Sequence, residues 1–283
     1  MRGTRRAGIA LTLAATLALA ACSGGGGQPG SGGTSSASGS GKGVTIGIKF
    51  DQPGLGLKEG DKYTGFDVDV ATYVAGKLGY TPEDITWTEA VSSQRETLLQ
   101  NGSVDMIFAT YSITDARKES VAFAGPYFVA GQDLLVRADD TEITGPEALE
   151  GKVLCSVSGS TSAQRVKDQF AAGVQLQEAQ GYSECVEFLS AGQVDAVTTD
   201  DIILAGFAAQ PEYKGQFKVV GNPFSEENYG VGLPKENDVC EDVNTAITDM
   251  IDDGTWQKLV TKNAGEGYTP NPKLNPPKVQ PCA

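Results

Sequence analysis

The groups in this chain that could do chemistry are charged and hydroxyl side chains at strand ends and turns, not a nucleophile paired with a base. The 283 residues contain no histidine, so neither a Ser-His nor a Cys-His couple can form, and proton transfer would have to rest on carboxylates. The turn Ser158-Gly159-Ser160-Thr161-Ser162 leads into a helix from Ala163, and the N–H groups at such a helix start suit an anion. Ser160 can equally cap that helix. Asp200 closes a strand just before Ile202 to Phe207, where it reads as a helix cap or as a carboxylate held for a cation. Asp67 and Asp69 fall in the first turn of a helix, where the dipole favours acids, and capping with solvation is their reading in preference to metal binding.

These groups sit on alternating strands and helices. Val44 to Ile48 reads as a strand ending at Lys49 and a Pro/Gly-rich loop, Pro53 to Gly60. Phe66, Val70, Tyr73, Val74 and Leu78 have helical spacing. Strand Ile85 to Glu89, helix Arg95 to Asn101 and strand Asp105 to Thr110 follow, then the turn at Thr114-Asp115-Ala116-Arg117. A second set runs through strand Lys152 to Val157, helix Glu184 to Ala191 and strand Val194 to Thr198. Such alternation implies parallel sheets with helices on their faces. Strand Tyr229 to Pro234 and helices Val239 to Asp252 and Thr255 to Thr261 return to complete the first unit, giving two lobes joined near Tyr127 to Gly131 and Ser225 to Tyr229.

Arg2, Arg5 and Arg6 precede an apolar run, Ile9 to Ala21, which is short for a membrane span and reads as an export signal. From Cys22 to Gly43 the chain is Gly, Ser, Thr, Gln and Pro, a flexible leash. The formal charge is −14, and the three arginines ahead of Cys22 make the mature chain more acidic still. That balance argues against nucleic acid or anionic membrane surfaces as partners, and it requires any anion site to be local. Four further cysteines, Cys155, Cys185, Cys240 and Cys282, suit two disulfides in an exported chain. Three pairings are possible; sequence proximity favours Cys155 with Cys185 and Cys240 with Cys282, the latter pinning the Pro-rich tail Tyr268 to Ala283. A four-thiolate zinc site is the rival, with spacings that lack a C-x-x-C pair.

Leu19-Ala20-Ala21-Cys22 resembles the lipobox of bacterial lipoproteins, which implies acylation of Cys22. Gly65-Phe66-Asp67-Val68-Asp69, Ser112 to Arg117, Ser158 to Thr161 and Asp195 to Asp200, in that order, resemble the family 3 polar amino-acid solute-binding proteins of ABC importers. The loop Lys49 to Gly56 and the lobe-two cysteines are most similar to those of actinobacterial glutamate-binding lipoproteins. The resemblance, over Val44 to about Gly267, implies a two-lobed, periplasmic-binding-protein-like (type II) α/β fold with a two-strand hinge. The implied divisions are 1–21 signal, 22–43 lipidated linker, 44–128 plus 230–267 lobe one, 129–229 lobe two and 268–283 tail.

By the same resemblance Arg117 clamps a ligand α-carboxylate, a task for which a planar guanidinium is suited. Ser112, Thr110 and Thr161 complete that clamp, and Asp200 meets the α-ammonium, with Asp201 turned to solvent. The position of Lys49 carries an acid in a glutamine-binding relative and a base in glutamate- or aspartate-binding ones. Lys49, Ser92 and Arg95 therefore imply an acidic ligand side chain, L-glutamate above aspartate or glutamine. Thr110-Tyr111 departs from the small residues common in relatives; Tyr111 or Phe50 could pack on the ligand stem or lie in the core. The implied partners are the ligand, an importer's permease subunits with their ATPase, and a membrane reached through the lipid, for a monomer without cofactor or metal. An enzyme on the same scaffold, a dehydratase or cell-wall lyase, is the alternative; a sensor domain would need a signalling segment.

Overall fold

The computed structural model describes residues 43–160, 162–170, 173–264 and 267–283. The leader, Cys22 and the linker after it up to residue 42 lie outside these residues, as does Thr161. The β-branched run Val44-Thr45-Ile46 forms β1 (Val44–Ile48). Where the sequence suggests only a Pro/Gly loop, the chain instead folds a small antiparallel sheet of β2 (Asp51–Gln52), β3 (Gly56–Glu59) and β4 (Lys62–Thr64). Turn residues there fix the corners between strands too short to show period-2 patterning. Helix α1 (Phe66–Lys77), β5 (Ile85–Glu89), α2 (Arg95–Gln100), β6 (Met106–Ile107) and α3 (Asp115–Lys118) follow, close to the expected places.

Strand β6 is shorter than the Asp105 to Thr110 span expected, for a physical reason. Phe108 N still donates to Gly47 O at 2.8 Å, but Thr110 N donates to the Asp67 carboxylate at 2.9 Å and Thr110 takes φ 45°, which turns the chain out of the ladder. Strand β7 (Ala122–Ala130) then runs nine residues, all buried, because helices cover the sheet. Its last residues lead through Gly131 into β8 (Gln132–Arg137) of the second sheet.

The second lobe continues with β9 (Val153–Val157), α4 (Ser162–Gln169), β10 (Gln175–Ala179), α5 (Tyr182–Ser190), β11 (Ala196–Asp200), α6 (Asp201–Ala208) and β12 (Phe217–Val219). The chain returns through β13 (Glu227–Leu233) and finishes with α7 (Cys240–Asp252) and α8 (Thr255–Asn263). The two five-stranded sheets have the orders β5-β1-β6-β13-β7 and β10-β9-β11-β8-β12, and in each the parallel strands are joined by an antiparallel one. At the crossing between lobes Glu227 pairs with Ala130 and Tyr229 with Phe128. This is the two-lobed, two-strand-hinge arrangement implied above. No helix among the described residues is long and apolar enough to cross a membrane.

The cysteines pair as Cys155–Cys185, joining β9 to α5, and Cys240–Cys282, joining α7 to the tail. That removes the zinc alternative. From Asn275 onward the tail is tied along β7: Asn275 exchanges hydrogen bonds with Val129 at 3.0 and 2.7 Å, and Ala283 with Phe123. A disulfide closing a span of 42 residues restricts the unfolded chain. The double replacement Cys240→Ser/Cys282→Ser should therefore lower unfolding free energy by about 2–4 kcal/mol in a guanidinium titration. The cleft described next, remote from this bond, should keep its ligand affinity.

A candidate ligand-binding cleft between the lobes

Two guanidinium groups are packed around the ring of Tyr111 in lobe one. Arg95, at the start of α2, is buried; its Nη1 donates to Ala109 O at 3.1 Å and its Nε to Ser92 O at 3.4 Å. Its guanidinium carbon sits 4.2 Å from the Tyr111 ring centre, and that of Arg117 5.0 Å away. Arg117 is placed by the short helix α3, which Thr114 caps by accepting from Arg117 N. Arg117 Nη1 donates to Ser112 O at 2.7 Å, and its Nε lies 3.4 Å from Glu96 Oε1, which also accepts from Tyr111 OH. Tyr111 is thus a core aromatic that supports the cations.

Lys49 stands behind this wall and does not line it. Its ammonium donates to Ser92 Oγ at 2.8 Å, so the Ser92 hydroxyl hydrogen is left to point onward. Burial, reinforced by Arg95, pushes Lys49 down to about 7, and burial with Arg117 holds Arg95 at about 10. Among the described residues no carboxylate reaches ion-pair distance of Lys49 or Arg95. Glu96 is the single acid paired here, and it serves Arg117.

The facing wall is acidic. Asp200 ends β11 and occupies the N-cap position of α6 without capping it; its carboxylate accepts from Tyr229 OH at 2.6 Å. Burial and the nearby Glu227 raise Asp200 well above the usual carboxylate range. Glu227, on the hinge strand β13, accepts from Ser225 Oγ and pairs with Arg165 of α4. Ser160 Oγ accepts from Ser162 N at 3.1 Å, so it does hold its helix start. Asp201 is not turned freely to solvent: its Oδ1 accepts from Gly131 N and from Tyr268 OH, tying α6 to the hinge and the tail.

Asp67 is the clearest departure from the sequence reading. It is fully buried, accepts from Thr110 N at 2.9 Å and Tyr127 OH at 2.7 Å, and burial pushes its carboxyl up to about 6. It braces the backbone of the site instead of facing water. Asp69 does meet solvent and pairs with Lys262.

Ser92, Arg95, Thr110, Ser112, Arg117 and Asp200 all line one narrow gap, together with Ser160, Ser162, Tyr182, Thr199, Ile203 and Glu227. The lobes touch around it. Arg117 Nη2 donates to Gly159 O at 3.4 Å, and a Cβ on Gly159, which has φ 77°, would lie 2.6 Å from Ser93 Cα. Asp51 of β2 accepts from Ser183 N and Oγ at 3.2 and 3.3 Å at the start of α5, where a Cβ on Gly181 would collide with it. Tyr182 and Glu227 were missed in the sequence. The only signal for Glu227 is an acid at the head of an otherwise uncharged strand.

A two-lobed α/β fold with opposed charges in the gap between its lobes is the architecture of a solute-binding protein, and the chain belongs to the bacterial extracellular solute-binding proteins, family 3, whose model matches residues 44–266. It is 53% identical over 235 residues to the glutamate-binding protein GluB of Corynebacterium glutamicum, covering 79% of each chain. It is 34% identical to the glutamine-binding protein GlnH of Bacillus subtilis, over 77% of this chain and 80% of that one. Among solved structures, an ancestral arginine-binding protein bound to glutamine superposes with a TM-score of 0.72 at 36% identity, over 79% of this chain and 98% of that one. The chain is accordingly a solute-binding protein of that family.

The Asp51 bond to the start of α5 exists only while the lobes touch, so it should favour closure without shaping the ligand contacts. Asp51→Ala is expected to weaken ligand affinity about tenfold, or about 1.4 kcal/mol, through faster dissociation. Stopped-flow fluorescence checks this, with the melting temperature of the ligand-free protein nearly unchanged.

Proposed function

We propose that this protein captures L-glutamate between its lobes and, tethered by acylated Cys22 at the outer face of a membrane, delivers it to an ABC importer. The observation that carries the reading is the wall formed by Arg95 and Arg117, with Lys49 behind it and one paired acid, facing Asp200 and Glu227 on the other. Cations held away from water without counter-charges favour an anionic ligand strongly. The name of the Corynebacterium relative points the same way.

In this reading Arg117, Ser112 and the Ser160-Thr161 turn take the α-carboxylate, and Asp200 takes the α-ammonium. The Ser92 hydroxyl, polarised by Lys49, and Arg95 take the side-chain carboxylate. Ligand groups then bridge lobe one and lobe two, so binding favours the closed form, which the importer's permease subunits would recognise. The leader to residue 21, the leash 22–43, and lobes at 44–128 plus 230–267 and 129–229 are the divisions that this mode of action requires.

Calorimetry with glutamate, aspartate, glutamine and arginine tests the ligand class. Glutamate should bind tightest, and a preference for arginine sinks the reading. Arg117→Ala and Asp200→Ala should each cost at least about 100-fold in glutamate affinity, since each leaves an opposite ligand charge unpaired in a dehydrated gap. Both variants should still fold, because the two groups face the cleft.

The ammonium of Lys49 adds a pH dependence with a definite sign. Held near 7 in the free protein, it is largely neutral at pH 9, and a ligand carboxylate nearby raises it again. Glutamate binding should therefore take up a proton above pH 7 and weaken as pH rises from 7 to 9. Calorimetry in buffers of different ionisation heat measures the uptake, and Lys49→Met should abolish it.

A further inference from the structure

Gln52, the last residue of β2, has a side chain that the contacts described so far leave half used. It is completely buried, and its Nε2 is the one buried side-chain polar atom among the described residues with no hydrogen-bond partner. Its amide oxygen accepts from the Thr110 hydroxyl at 3.2 Å, and Thr110 lines the gap between the lobes. Thr110 is itself fixed by Asp67, so the amide is held at a defined place on the lobe-one wall. The next residue, Pro53, packs its carbonyl against Gly206 of α6, the helix whose Ile203 lines the same gap. Gln52 therefore lies beside the ligand gap where the two lobes meet. A buried N–H with no acceptor is rare and costly in a folded protein.

We propose that Gln52 is a specificity-determining residue whose Nε2–H donates to a side-chain carboxylate oxygen of the bound amino acid. This rests on the proposed capture of glutamate. A carboxylate offers about four acceptor positions. The α-carboxylate already faces Arg117, Ser112 and the start of α4, whereas the side-chain carboxylate has only Arg95 and the Ser92 hydroxyl. A further donor fits the second group. It also discriminates: a side-chain amide brings N–H donors of its own against the donors of Gln52, Arg95 and Ser92, so glutamine gains little from Gln52.

The test is calorimetry of the whole protein with L-glutamate and L-glutamine for the wild type, Gln52→Leu and Gln52→Glu. Gln52→Leu should weaken glutamate about 10- to 100-fold, the value of a hydrogen bond to a charged group, and leave glutamine nearly unchanged. Thr110 remains satisfied in this variant, because its hydroxyl also lies 2.8 Å from Ala109 O. Gln52→Glu keeps the size and the acceptor for Thr110 but replaces the donor with a negative oxygen, so it should weaken glutamate further still and turn the preference towards glutamine. Equal losses for both ligands in Gln52→Leu, or wild-type glutamate affinity in Gln52→Glu, would overturn the assignment by reducing Gln52 to packing. A wild-type protein that does not prefer glutamate overturns the glutamate reading itself, and this inference with it, before any variant is compared.

Discussion

Positive charge held out of water is the constraint around which lobe one is built. Lys49 and Arg95 are 3% exposed and the Arg117 side chain 10%, yet they share one paired carboxylate, that of Glu96. Burial, reinforced by repulsion from Arg95, is why Lys49 is driven down to about 7. The fold offsets part of this cost with neutral acceptors: the carbonyls of Ser92, Ala109 and Ser112, the Ser92 hydroxyl and the face of Tyr111. None of these cancels a charge. In the proposed reading, the ligand's carboxylates supply that missing negative charge.

That arrangement needs a backbone which does not yield, and Asp67 supplies it. By accepting from Thr110 N and Tyr127 OH, it binds the first turn of α1 to the end of β6 and to the hinge strand β7. Thr110 adopts the left-handed conformation that non-glycine residues rarely take, and the Asp67 bond is what holds it there. The result aims the chain from Thr110 to Ser112 at the gap. A buried acid therefore acts here on geometry, at one remove from the ligand.

The sequence made the lobes legible because β-branched strands and 3.6-residue periodicity survive in β1, β5, β9, α1 and α7. It hid the β2–β4 sheet, whose strands of two to four residues sit among Pro and Gly, and β10, an edge strand whose Gln-Leu-Gln-Glu-Ala reads as polar. The gap-lining positions of Arg95, Ser112, Arg117 and Asp200 could be anticipated only through motif resemblance, since a lone arginine or aspartate says nothing about what it faces. Asp67 was misread for a general reason: an acid in a first helical turn satisfies the dipole wherever it points, and only the partners, 43 and 60 residues away, show that it points inward. Glu227 and Arg165 escaped likewise, because an ion pair 62 residues apart leaves no local trace.

The acidic half of the site is fastened to the part of the molecule that must bend. Tyr229 and Glu227 belong to β13, which pairs with β7 across the hinge, and Tyr229 donates to Asp200 while Asp201 accepts from Gly131 between β7 and β8. In the proposed pose, a ligand ammonium at Asp200 would relieve its repulsion with Glu227 beside the strands that cross between the lobes. The cationic wall, by contrast, is braced by α1, α2 and α3 within lobe one and touches lobe two through the Arg117 bond to Gly159. In the proposed mode of binding, a ligand seated on the positive wall would be sensed at the hinge through its positive end. Charge recognition and lobe closure then become two effects of the same contacts, so an amino acid lacking either charge would find half of the site but could not draw the lobes together with the same force.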